Sequence, residues 1–287
     1  MGVISTRHSR LSGDGTIAAA FRSANASFEP NLKELVHSST RGGRQRLTGV
    51  KDWNGTWEEY GYYPAWYPGD EVTYIGSIDG TADDRDLQGD AIVTQTVITI
   101  PVGTQDPPTV SGTFRGVAAV TKNDNTGVAL PSNPDSIEPA QSLCVQLSSN
   151  LASPSYSAED GTTEIVITLS IEVQEFNHCG TSGYMDAIES LWDANVTYKR
   201  YVDDLSDIPV EGTPYLVRVP IPGGMNYSFA YMRVGTISDI MFDREGGGLL
   251  LPTIPLEMSI IEDLSGTATV GAGVTKPVGG TWRPTES

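Results

Sequence analysis

The sequence predicts a mainly β protein with two tandem β-sandwich or barrel domains, each carrying at most one short helix. Three observations lead to this fold class. Most of the chain alternates apolar and polar residues in short runs, which is typical of half-buried strands. The 31 glycines and 18 prolines among 287 residues indicate many turns. The second half of the chain also repeats residues of the first half at a fixed spacing.

The strand pattern is clearest in residues 165–173, where every second residue is apolar. One stretch, residues 183–192, instead has helical spacing, because Tyr184, Ile188, Leu191 and Trp192 fall on one helix face behind a candidate cap at Ser182. Further β-branched or aromatic runs bounded by turn residues are predicted as strands at 91–100, 113–121, 215–221 and 227–234.

Polar segments rich in glycine, proline and serine divide the chain. The acidic segment 77–90 is predicted to be a loop. The boundaries predict an N-terminal arm at 1–15, a first domain at 16–122, a linker at 123–142, a second domain at 143–264 and a C-terminal arm at 265–287.

The internal repeat appears when the second half is placed on the first with an offset of 141 residues and no gaps. Ten of the fifty positions 28–77 are then identical, where about three are expected from average composition. A chance likeness of turn chemistry between two β domains remains the alternative. The matched positions include His37 with His178, Asp52 with Asp193, Asn54 with Asn195, Thr56 with Thr197, Tyr60 with Tyr201, Tyr74 with Tyr215, and Trp57 with Tyr198 as a similar pair.

The repeated polar residues, such as Asp52 and Asn54, predict a turn in which short side chains bond their own backbone before a strand begins. The Trp57/Tyr198 and Tyr60/Tyr201 positions are then structural aromatics of that strand. Trp53 of the first copy corresponds to Ala194. A duplicated scaffold of this kind predicts that Asp52→Ala disturbs folding or assembly as much as Asp193→Ala does.

The net charge of −18 disfavours tight binding of nucleic acid, whose affinity comes largely from Lys and Arg. The sequence has no apolar run of 18 residues, so no membrane span is expected. The first 15 residues lack an apolar core of signal-peptide length, which predicts synthesis in a cytoplasm without export by that route. Cys144 and Cys179 are expected to be reduced, buried residues.

No motif predicts catalysis, a metal site or a cofactor. His37 and His178 are expected to be structural. In the segment 79–90, Asp84 stands where a calcium loop needs glycine. The Glu58–Glu59 pair becomes Lys199–Arg200 in the second copy, which suits surface positions with different neighbours, including each other across an interface.

Residues 42–80 contain a recognisable signature: Gly49 and Asp52, then Trp53, Gly55, Thr56 and Trp57, followed by the turn Pro68–Gly69. This stretch, with the later T-F-x-G of residues 113–116, resembles the tail tube (major tail) proteins of long-tailed bacteriophages. The resemblance covers about residues 1–122. Residues 190–204 keep the polar positions and lose the Trp-x-Gly.

The resemblance implies a structural virion protein assembled in the host cytoplasm. Tube subunits form rings, usually of six, that stack into the tail; two tube domains per chain imply a trimer with pseudo-sixfold symmetry. Its partners would be further copies of itself, the tape-measure protein and other tail proteins. During genome ejection, double-stranded DNA would pass through the acidic bore without binding tightly.

Two other classes stay open. A distal tail, decoration or receptor-binding protein with tandem β domains would use Trp53, Trp57 and Trp66 to stack on host-surface glycan. A β enzyme acting on polysaccharide is the third class, and the missing catalytic constellation disfavours it.

Overall fold

A computed structural model describes residues 2–4, 10–13, 21–35, 45–76, 87–117, 120–122, 137, 139–176, 186–238, 250–258 and 285–286. This part of the chain is mainly β and contains no α-helix, which confirms the mainly β part of the predicted fold class. Its strands are β1 (Gly2–Ile4), β2 (Arg10–Ser12), β3 (Phe21–Leu35), β4 (Gln45–Tyr60), β5 (Glu71–Gly76), β6 (Leu87–Pro101), β7 (Thr109–Gly116), β8 (Thr121–Lys122), β9 (Gln146–Ser148), β10 (Ser157–Ala158), β11 (Thr162–Phe176), β12 (Asp186–Arg200), β13 (Pro214–Ile221), β14 (Met225–Val234), β15 (Thr253–Met258) and β16 (Thr285–Glu286).

These strands form one large antiparallel sheet. Its main path runs β1-β3-β4-β7-β6-β11-β12-β15-β14-β13-β9-β10, and β2, β5, β8 and β16 attach beside it. The same order of five strands occurs twice along the chain. The first unit (β3–β7) is ordered β3-β4-β7-β6-β5, and the second unit (β11–β15) is ordered β11-β12-β15-β14-β13.

The two units also share their register. Ala24 lies opposite Trp57 in the first unit, and Ile165 lies opposite Tyr198 in the second, a shift of 141 on both strands. Even the irregularities recur: the first unit departs from regular pairing at 21–23 and 30–32, and the second unit departs at 162–164 and 171–173. Because register fixes which face every side chain takes, the 141-residue spacing here is a property of the backbone.

The spacing changes in the later strands. Arg115 and Glu257 hold equivalent places in β7 and β15, a shift of 142. In β5 and β13 the shift is 143, because Glu71 lies opposite Ile92 and Pro214 lies opposite Arg233. The sequence match of Tyr74 with Tyr215 is therefore out of register. A gapless comparison cannot follow length differences in the connections between strands.

The predicted helix at 183–192 is wrong for the residues that the structure describes. Residues 186–192 belong to β12, where Ile188 lies opposite Gln174 of β11, and Ser182 and residues 183–185 lie outside the described part. A partner strand of fifteen residues outweighs a short helical pattern, since pairing context decides such ambiguous segments. A single 3-10 turn occurs among the described residues, at Leu205–Asp207.

Segments expected to be arms, loop or linker are only partly described. Strands β1, β2 and β16 pair with β3, β5 and β14, and Ala140 of the expected linker is buried and bridges Val102. Residues 77–86 and 123–136, like most of 265–287, lie outside the described part. No helix in the described ranges is long and apolar enough to cross a membrane.

Candidate assembly interface

The three tryptophans of residues 52–70 form the core of the first unit. Trp53, Trp57 and Trp66 are each at most 2% exposed. The rings of Trp57 and Trp66 meet edge to face at 5.9 Å, and Trp53 stacks on Phe28 at 5.8 Å. A sugar cannot stack on rings that the protein itself covers, so these residues offer no glycan platform.

Glycines make room for the aromatic rings. A Cβ at Gly112 would overlap the Trp57 ring, one at Gly116 would overlap Trp53, and one at Gly55 would overlap Phe114. Each large ring therefore lies against a residue without a side chain on a neighbouring strand, which is how a close-packed interior accommodates it. The W-x-G-T-W signature has a packing explanation here: Trp53, Gly55 and Trp57 alternate onto one buried face of β4.

The predicted turn at the repeated polar residues is wrong. Residues 52–60 lie inside β4 and residues 193–200 lie inside β12, so their backbones pair with neighbouring strands. The polar side chains lie on the side of the strand away from the core, and they bond either a neighbouring strand or their own strand. Asp52 Oδ2 accepts from Arg115 Nη2 at 2.6 Å, Asn195 Oδ1 accepts from the Thr197 hydroxyl at 2.9 Å, and Asp193 Oδ1 accepts from the Ala194 N–H at 2.9 Å.

The matched aromatic positions differ in exposure. Trp57 and Tyr198 are both fully buried, and each lies on the core face of its strand. Tyr60 is half-buried beneath the Arg22 guanidinium, whose carbon lies 5.5 Å from the ring centre, whereas Tyr201 is 46% exposed. His37 and His178 lie outside the described residues.

The Glu58–Glu59 pair, which is replaced by Lys199–Arg200 in the second unit, has one exposed position and one enclosed position in each unit. Glu58 and Lys199 take the outer face, where Glu58 meets Arg22 at 3.5 Å and Lys199 meets Glu164 at 3.0 Å. Glu59 faces inward and is buried, so the surface interpretation fails for it. Its equivalent, Arg200, is also largely enclosed. Successive residues of a strand point to opposite faces of the sheet, so two charged residues that are adjacent in sequence cannot both lie on the same surface.

Each buried charge has its own partner. Glu59 Oε1 accepts the Ala65 N–H at 2.9 Å, and burial raises the pKa of Glu59 to about 7. Arg200 forms an ion pair with Glu159, which also accepts from the Tyr198 hydroxyl at 3.3 Å. Burial raises the pKa of Glu159, and the Arg200 guanidinium opposes that rise.

The two units meet through paired strands. Residues 95–101 of β6 pair with residues 164–170 of β11 over seven positions, on the strand edge that β5 leaves free beyond residue 92. Tyr62 and Tyr67 pack into the hydrophobic cluster shared by both units. The Tyr227 hydroxyl donates to the Tyr62 carbonyl at 2.8 Å, and the exposed Tyr63 donates to the Pro222 carbonyl at 2.9 Å. The segment 61–67 therefore fastens the first unit to the second.

One face of the sheet stays polar across seven strands. One row of residues that lie directly opposite one another on adjacent strands is on this face: Ser23, Glu58, Ser111, Val97, Thr168, Asn195 and Glu257. We call it the polar face; serine, threonine, asparagine and glutamine supply most of its other described positions. Its charged side chains in the described part include Asp52, Glu58, Glu164, Glu172, Asp193 and Glu257 against Arg22, Arg115, Lys199 and Arg233.

Exposed apolar side chains concentrate in one loop of the second unit. Tyr201, Leu205 and Val210 are 46%, 59% and 71% exposed, and the fourth large apolar side chain exposed in the described residues is Tyr63. At the 141-residue spacing, residues 201–210 correspond to residues 60–69, which include the segment that fastens the first unit to the second. We call residues 201–210 the apolar loop.

The described residues contain no group of three or more side chains suited to hold a metal ion. In comparisons with known proteins, no family model matches the chain and no curated protein matches it. The candidate functional features among the described residues are therefore strand edges that can pair and sheet faces that can pack.

Proposed function

We propose that this chain is the tail tube protein of a long-tailed bacteriophage. It carries two tube-like β domains, three chains close into a ring, and stacked rings form the conduit for the genome. The observation that carries the proposal is the five-strand unit, repeated in order and register and joined to its copy by strand pairing. The sequence resemblance of residues 42–80 supports the same assignment.

The junction inside the chain supplies a template for contacts between chains. It joins residues 95–101 of the first unit to 164–170 of the second. Their equivalents at the 141-residue spacing are residues 236–242 and 23–29. Ser238 bridges Thr253 as Val97 pairs with Ser111, so residue 238 keeps the register of the repeat. The other side of Ser238 would then face Ser27 of the next chain, as Val97 faces Thr168.

A contact that joins unlike surfaces head to tail either closes into a ring or grows into an open filament. Each chain would contribute two similar five-strand units around the ring, so a ring of six units closes with three chains. Closure would cover the strand edges that an isolated sheet leaves open to aggregation.

The apolar loop supports this arrangement. In the first unit, residues 61–67 contact the second unit through Tyr62, Tyr63 and Tyr67. The equivalent segment of the second unit exposes Leu205 and Val210, and the described residues contain no third unit that covers them. In a ring, the first unit of the next chain would cover them.

The polar face is the surface that we assign to the bore. It is continuous across both units, its side chains are mostly short and uncharged, and carboxylates outnumber cations among the rest. Such a surface lacks the Lys and Arg clusters that hold phosphates, so DNA would pass without binding tightly. The net charge of −18 acts in the same direction. The tape-measure protein would occupy this bore before the genome, and the assembled protein would reside in the virion tail.

Electron microscopy of the purified chain over a range of concentrations tests the proposal. We expect rings with three chains and six similar lobes, and stacked tubes at higher concentration. Leu205→Ser should weaken ring formation about tenfold without lowering the urea midpoint, because the side chain is exposed in the free chain. Ser111→Ala on the polar face is the matched control and should leave ring formation unchanged. A chain that stays monomeric at every concentration would overturn the proposal.

A further inference from the structure

We propose that strand β1 caps the ring-closing edge of β3 in the free chain, and that a second copy of the chain must displace it. This inference rests on the proposed function and adds a control on when assembly begins. The edge concerned is the side of β3 that faces away from β4.

The register identifies the cap. Gly2, Val3 and Ile4 lie opposite Phe28, Ser27 and Ala26 of β3. At the 141-residue spacing these β3 positions become 169, 168 and 167 of β11, which pair with residues 96–98 of β6. Val3 therefore occupies on Ser27 the place that Val97 occupies on Thr168. Strand β1 and the neighbouring chain would compete for one set of backbone donors and acceptors.

The competition between β1 and a neighbouring chain for the β3 edge favours the assembled ring, but it delays the first contact between two chains. Strand β1 offers three paired positions, whereas the junction between units has seven. A neighbouring chain thus replaces every bond that it displaces and adds more. Against this, β1 belongs to the same chain, so its effective concentration at the edge is far above that of a second copy. An occupied edge also protects the free chain from unwanted strand addition.

A covalent lock tests the cap directly. We would join Val3→Cys to Ser27→Cys by oxidation or a short dimaleimide, in a background carrying Cys144→Ser and Cys179→Ser. The locked protein should remain monomeric where the background protein forms rings, and reduction of the disulfide form should restore ring formation. Rings formed equally by the locked protein would overturn the cap.

The internal junction provides a matched lock. Val97→Cys joined to Thr168→Cys closes the equivalent pair of strands, and no step of assembly requires that pair to open. Its locked form should assemble like the background protein. If it failed as completely as the lock on β1, loss of assembly would be a general effect of cross-linking and the cap would fall.

Deletion of residues 2–4 gives the opposite change. It should lower the concentration at which half of the chains are in rings by roughly threefold or more, since the competent state is no longer masked. An unchanged concentration, with normal rings, would sink the cap alone. If neither the full chain nor the deletion variant forms rings, the proposed function fails and the cap fails with it.

Discussion

The two five-strand units share a register but distribute side-chain volume differently across it. In the first unit, Trp57 lies opposite Gly112, and Gly55 lies opposite Phe114. The equivalent pairs of the second unit are Tyr198 with Ile254, and Val196 with Leu256. The first unit therefore combines a ring with an absent side chain, whereas the second combines residues of more even size. Register is preserved because each pair fills its space, whichever strand supplies the atoms.

The buried charges differ in the same way. Glu59 is enclosed with a backbone N–H as its partner, whereas the equivalent Arg200 has a carboxylate partner in Glu159. A backbone amide cannot neutralise a carboxylate, so the cost of burial appears as the raised pKa of Glu59. The two positions share a fold, but among the described residues only Arg200 has a countercharge beside it.

The largest expected effect comes from removing a central ring from either unit. Trp57→Ala and Tyr198→Ala should each lower the free energy of unfolding by about 4 kcal/mol, because both side chains are fully buried. Urea unfolding followed by circular dichroism measures this loss, with the outward-facing Thr56→Ala as control. A loss below about 1 kcal/mol at either site would mean that the ring is not part of the core.

The difference in side-chain volume between the two units can be tested by adding a side chain at Gly112. Gly112→Ile should cost about 3 kcal/mol, because its Cβ alone would overlap the Trp57 ring. Combining it with Trp57→Tyr transplants the pair of the second unit into the first. The double variant should be more stable than the sum of the two single changes predicts, as a double-mutant cycle would show. Simple additivity would argue against compensation between these strands.

The charge comparison is sharpened by pH. The pKa of Glu59 rises from 4.5 to about 7 on folding, so between these values the folded state binds more protons than the unfolded state. Stability from this group is present below pH 4.5 and is lost as pH rises through 7. Glu59→Gln should therefore match the parent at pH 4 and exceed it by up to about 3 kcal/mol at pH 8. Equal stability of the two proteins at both pH values would contradict the raised pKa.

The smallest expected difference concerns the matched aspartates. The repeat predicts equal effects, but Asp52 pairs with Arg115 whereas Asp193 bonds the adjacent Ala194 N–H on an exposed position. We now expect Asp52→Ala to cost about 1.5 kcal/mol and Asp193→Ala less than about 0.5 kcal/mol. Thermal unfolding at moderate salt distinguishes them. Equal losses would show that the Asp52–Arg115 pair contributes nothing beyond the shared scaffold.

Sequence reasoning found the β class and the spacing of the repeat, because both depend on local alternation and on residues in two long strands. It failed at residues 186–192 of the predicted helix, where helical spacing was outweighed by pairing with β11, and at Asp52, where turn-forming residues lie inside a strand. Which strands adjoin is a long-range property that no local pattern carries.

The junction was beyond sequence reasoning for a similar reason. Nothing in residues 95–101 marks them as the partner of 164–170, since ladder bonds use backbone atoms that every residue shares. The position of Glu59 on the buried face of β4 could have been predicted by continuing the alternation of Trp53, Gly55 and Trp57 for two more residues. The packing role of Gly112 required knowing which strand lies opposite Trp57.

The most direct test of the central claim joins one chain to the next. Ser27→Cys and Ser238→Cys, in the background with both native cysteines replaced by serine, place one thiol on each side of the proposed contact. Cross-linking of assembled protein should yield dimers and trimers on a denaturing gel, with the closed trimer as the largest product. A ladder extending beyond three chains, or no cross-link in protein that has formed rings, would contradict a three-chain ring that reuses the internal junction.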